Sequence, residues 1–246
     1  MNKLFLGKHS PRLDARTLKF SAYLAPSLPP APPVIDWGQI VSGNNWRMMA
    51  NDSVGDCTCA AAGHLELLWT GYGKKSFVPS DAQILAAYSA ITGYSPNNPN
   101  SDNGANVLDV LNYWRKSGIA GRKIVAFAAV DHTNREHVRL AVDMFGGCYI
   151  GVELPQSAMD DFNAGKTWSR LTGKIMGGHA VVVVGYDADT VSIVTWGKEI
   201  KASWAWFEKY CDEAFCILSK DWAGKAAAPS GFNYAQLVAD LVTLKQ

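Results

Sequence analysis

The chain has 246 residues, 48% of them hydrophobic and 18% charged, with a formal net charge of +1. That length and composition suit one large domain or two small lobes sharing a cleft, and they exclude a globally disordered chain. A near-neutral balance with no basic run gives no sign of nucleic acid or of an anionic membrane as partner. The stretch Met1–Lys8 is too short in apolar content for a signal peptide, and no segment has the length of a transmembrane span. Five cysteines, two of them set as Cys57-Thr58-Cys59, leave at least one thiol free and favour a reducing compartment.

Residues 1–33 read as a Pro-rich N-terminal arm. Pro26, Pro29, Pro30, Pro32 and Pro33 favour extended polyproline-like structure and cannot pair as an interior strand. The arm is expected to wrap the surface or lead into the domain, with partner binding or covering of a cleft as alternatives. The domain proper spans 34–222, helical over about 34–125 and β-rich over about 126–222. A tail, 223–246, follows it.

In chain order, a helix is predicted from Cys57 to about Gly71, with Asp56 placed as its N-cap. Ser80 caps a second helix from Asp81 to about Thr92. The polar run Ser95–Gly104 is a loop, and Val107, Val110, Leu111 and Trp114 mark a third helix. A helix from about Asn134 to Phe145, capped by Asn134, precedes three strand-like runs: Cys148–Leu154, His179–Tyr186 and Val191–Trp196. In the tail, Tyr234, Leu237, Val238, Leu241 and Val242 form an amphipathic stripe expected to dock on the domain core, with oligomer contact as the lesser use.

Two residues stand out chemically. Cys57 opens an apolar helix and His179 opens a strand, so a nucleophile and a base on separate elements can meet after folding. A helix N-terminus and an imidazolium both favour thiolate, which is the attacking species. Cys59 lies about 200° further round the helix and points elsewhere. Cys57, Cys59 and His64 do not follow zinc-ligand spacing, and no metal or cofactor is expected. His64 shares the face of Cys57 but sits about 10 Å along the axis, beyond hydrogen-bond reach. His9, His132 and His137 lie in polar or arm-like contexts. Cys211 and Cys216 read as buried structural residues, and Asp187 and Asp189 as turn formers.

Five segments in order resemble the papain-like cysteine peptidases. These are Asp36-Trp37; Asn51 to Cys57; Asp102-Asn103-Gly104-Ala105 with the helix after it; Gly178-His179-Ala180-Val181 through Val184-Gly185-Tyr186; and Thr195-Trp196-Gly197. The resemblance implies an α+β fold, with a helical N-terminal lobe, a β-rich C-terminal lobe and an active-site cleft between them. It implies Cys57 as nucleophile, His179 as general base and later acid, and Asn51 with the Cys57 backbone N–H as oxyanion donors. Gly104, Ala105, Gly178 and Trp196 take the substrate-binding positions, with Trp196 shielding the site from water.

The departures are specific. Asn51 stands where the family has glutamine, Val54 replaces a disulfide cysteine, and Thr58 replaces a tryptophan. The asparagine that orients the histidine is absent. Counting from His179 reaches Thr195, aligning on Trp196 reaches Val194, and Asp187 or Asp189 are further substitutes. With only the short arm before Asp36, the family's long prosegment is expected to be absent.

The resemblance implies a thiol hydrolase acting on a peptide or protein through a thioester. The alternatives are a degenerate scaffold used for binding or assembly, with the arm or C-terminal helix docking a protein partner, and an acyltransferase or amidase. The outline is similar to bacterial or phage-encoded members, with a cytoplasmic or virion-associated location.

Overall fold

The computed structural model describes residues 4–223 and 231–243. Its first helices follow local sequence signals. Helix α1 (Cys57–Tyr72) is almost wholly buried, and α2 (Asp81–Thr92) begins at a capping box in which Ser80 and Gln83 bond each other's backbone. Asn106 caps α3 (Val107–Lys116), and Asn134 caps α4 (Arg135–Phe145) through the amides of Glu136 and His137.

Asp56 is different. It precedes α1, but its side chain makes no capping bond, and the carboxyl is fully buried beside Asn51. Burial raises its pKa well above the usual range, and the side chain does not serve as the N-cap expected from sequence.

Among the described residues, seven strands form one antiparallel sheet. These are β1 (Ile35–Asp36), β2 (Ala126–Ala129), β3 (Cys148–Pro155), β4 (Ile175–Tyr186), β5 (Thr190–Thr195), β6 (Lys198–Ser203) and β7 (Cys211–Leu218). The order is β2-β7-β3-β4-β5-β6, with β1 added to β4. Strand period two splits β4 between two cores. Ala180, Val182 and Val184 join α1, α2 and α3, whereas Val181 and Val183 join α4 and the short α6 (Trp204–Tyr210). Helix α5 (Gln156–Asn163) follows β3 directly, and α7 (Lys220–Ala223) returns to α1.

The Pro-rich stretch is not peripheral throughout. Phe20 and Tyr23 are buried in the sheet-side core, where Phe20 packs against Phe145 and Phe232. The final helix α8 (Tyr234–Thr243) docks there too, but of its apolar stripe only Leu237 is fully buried; Tyr234 and Val242 are exposed. The tail residues 224–230 and 244–246, like Met1–Lys3, lie outside the described residues. No helix among the described residues is long and apolar enough to cross a membrane.

Candidate active site

Cys57 is the first residue of α1, and its sulfur is buried against β4. The backbone N–H groups of Ala180 and Gly7 face that sulfur. Ala180 follows His179 directly in β4, so nucleophile and imidazole belong to adjoining elements.

His179 is 1% exposed and is fixed on two sides. Its Nε2 lies 2.8 Å from the Thr195 hydroxyl at the end of β5. The Trp196 ring stacks on the imidazole at 4.4 Å between centroids, from a backbone held at φ 43°. The other nitrogen, Nδ1, has no hydrogen-bond partner. Thr195, rather than Val194, faces the histidine because alternate β5 residues point to opposite faces; Val194 packs into the helical core. Asp187 is absorbed in its turn, accepting from Asp189, Thr190 and Lys201.

The remaining expected residues surround one occupant, the chain's own N-terminal segment. The Lys8 N–H donates to the Gly178 carbonyl at 3.0 Å, the Ala105 N–H to Gly7 at 2.7 Å, and the His9 N–H to Ala105 at 2.9 Å. Gly104 packs against the Gly7 carbonyl. The Trp196 indole N–H donates to the Phe5 carbonyl at 3.2 Å, and the Phe5 N–H to the Asn51 carbonyl at 3.4 Å. Residues 5–9 are thus an extra strand laid along the site, parallel to Ala105 and antiparallel to Gly178. Asn51 keeps its side-chain amide on the Val54 carbonyl, 3.0 Å away, and against Asp56.

Covered in this way, the pair is electrically silent. Burial pushes the Cys57 thiol up to about 12, although the amides of Ala180 and Gly7 favour the ionised form. Burial also pulls His179 down to about 3. With the arm seated, burial moves the Cys57 thiol opposite to the lowering expected from the helix N-terminus. His64 is buried as well, pulled down to about 4, with its Nε2 3.0 Å from the Arg47 carbonyl. All five cysteines are buried and free, and the described residues hold no cluster of three or more potential metal ligands.

Several solved structures with similar folds are described as cysteine proteases. Xylellain, a cysteine protease from Xylella fastidiosa, superposes with a TM-score of 0.64 at 17% identity, covering 89% of this chain and 97% of that one. The chain has the papain-like fold. A Carica candamarcensis cysteine protease in complex with E-64 gives 0.54 at 17% identity, over 76% of this chain and 99% of that one. The proform of the ragweed pollen cysteine protease Amb a 11 gives 0.60 at 16% identity, over 84% and 63%. No protein-family model and no curated protein matches the sequence.

Within this papain-like domain, sequence reasoning missed Gly7, Lys8, Asp212 and Glu213. Gly7 and Lys8 carry no motif and gain meaning only from the surface they cover. Asp212-Glu213 likewise carries no motif in the sequence.

Proposed function

We propose that the protein is a cysteine hydrolase, a peptidase in substrate class, whose N-terminal segment covers its own site. The observation that carries this is His179, bonded through Nε2 to Thr195 while a buried Nδ1 is left without a partner beside the element bearing Cys57. A threonine hydroxyl that accepts from Nε2–H leaves the Nδ1 lone pair free to take a proton. Thr195 then does the orienting work of the missing asparagine.

In the reaction, Cys57 Sγ attacks the carbonyl carbon of the substrate amide as its proton passes to His179. The oxyanion falls to the Cys57 backbone N–H, and to the Asn51 amide once it turns away from the Val54 carbonyl that now holds it. Collapse breaks the C–N bond, and His179 returns the proton to the departing amine. Water, deprotonated by His179, then hydrolyses the thioester. Ala105 and Gly178 pair with the substrate backbone as they now pair with the arm.

Arm displacement tests this. Any side chain on Gly7 would overlap the Gly55 carbonyl, so Gly7→Val expels the segment while leaving the chain whole. Restored hydration lets the thiolate form, and an epoxysuccinyl electrophile should label Cys57 in Gly7→Val at least about tenfold faster than in the wild type. His179→Ala should abolish that gain, and Thr195→Val should slow it, the lost hydrogen bond being worth about 1 kcal/mol. Uniform labelling of all five cysteines in Gly7→Val, read by peptide mass mapping, would overturn the hydrolase reading in favour of a binding scaffold.

A further inference from the structure

Lys8 has no exposed side-chain surface, although lysine is among the residues least often buried. Its ammonium donates to Asp212 Oδ2 at 2.9 Å and to the His9 carbonyl at 3.0 Å, and lies 3.3 Å from Glu213 Oε1. Gly151 makes the room. A Cβ there would come 2.5 Å from Lys8 Cε and 2.7 Å from Glu213 Cγ, so any side chain would obstruct the pocket.

The pocket sits one residue from the chemistry, since the neighbouring Gly7 N–H faces the Cys57 sulfur. Its acceptors also outnumber the donors of its present occupant. Asp212 Oδ1 is buried without a hydrogen bond, and Glu213 Oε1 has only the Lys8 ammonium, at 3.3 Å, beside it. Two carboxyl groups this close, in a pocket that buries a cation completely, are costly to leave unpaired.

We propose that this pocket is a cation-recognising subsite, selecting a lysine or arginine side chain on the peptide that takes the arm's place. Its consequence for cleavage rests on the hydrolase reading; its consequence for binding does not. An apolar or acidic side chain would strand both carboxyl groups, which rejects it, while a guanidinium supplies donors enough for all the acceptors.

The experiment uses full-length Gly7→Val and hexa-alanine peptides carrying one Lys, Arg, norleucine or Glu at each position in turn. Dissociation constants are read by fluorescence anisotropy in the Gly7→Val/Cys57→Ala chain, and cleavage rates in Gly7→Val. At one position Lys or Arg should bind at least about tenfold tighter than norleucine. Asp212→Asn/Glu213→Gln should erase that preference. Asp212→Asn alone, at a partly exposed residue that tolerates change, should reduce it. Equal binding of Lys, Arg and norleucine at every position overturns the subsite, and so does a preference that survives both substitutions. A cation preference in binding without cleavage of any peptide retains the subsite and removes the hydrolase reading.

Discussion

Two stretches of the N-terminal segment touch the same domain and are held by different forces. Around Phe20 and Tyr23 the chain is fastened by aromatic burial against Phe145 and Phe232, and by the Tyr23 hydroxyl donating to Asp240 at 2.8 Å. Between Phe5 and His9 it is fastened by backbone pairing and one ammonium, while Leu4 and Leu6 are only half-buried. The residues linking them are largely exposed, Leu13 almost completely. The first stretch cannot leave without dismantling the sheet-side core. The second offers N–H and C=O groups that any extended peptide also carries, and is therefore exchangeable.

Breaking the core half should give the largest effect. Phe20→Ala removes a fully buried ring and should cost about 3–5 kcal/mol, read from urea unfolding. An unchanged midpoint would mean that this half is also detachable.

Acid sensitivity comes next. His179 is depressed to about 3 when covered, so the stability linked to its neutral form is complete above the unfolded value near 6.5. That stability is lost as pH falls through the window down to about 3. At pH 5 the wild type should have lost about 2 kcal/mol through this group, and Gly7→Val markedly less. Glu213, raised to about 7 by burial, also loses Lys8 in Gly7→Val, so both chains carry Glu213→Gln, and the difference between their pH profiles then reports His179. Parallel profiles would show that the arm does not control the site's ionisation.

The smallest effect is local. Lys8→Met keeps the length and loses the charge, and should release the front stretch without unfolding the domain. Exchange of the Lys8 and His9 amides should quicken at least about tenfold, while the unfolding midpoint moves by less than about 1.4 kcal/mol. A global loss with no selective exchange would join the two stretches into one unit.

Cys57 and His179, proposed as the catalytic pair, were legible because order and local context mark them: a cysteine at a helix start, a histidine within a strand. Thr195 was one of several alternatives for the residue facing His179, and strand parity chose among them. Asp56 looked like a cap because N-cap preference is local; burial overrode it, and no window of neighbouring residues encodes burial depth. Strands β1, β2, β6 and β7 escaped notice: β1 and β2 are short, β6 is partly exposed, and β7 is buried on both faces and so shows no alternation.

By itself the sequence determined helices α1 to α4, the Ser80 and Asn134 caps, the β4 strand and the succession of Cys57 and His179. All of these follow from backbone preferences and spacing within about a dozen residues. Only tertiary structure decided that residues 5–9 lie in the site, that the thiol and imidazole are neutral there, and that Lys8 meets Asp212 across 204 positions of chain. Such contacts depend on which surfaces the packed core brings together, and desolvation exists only once that core has closed.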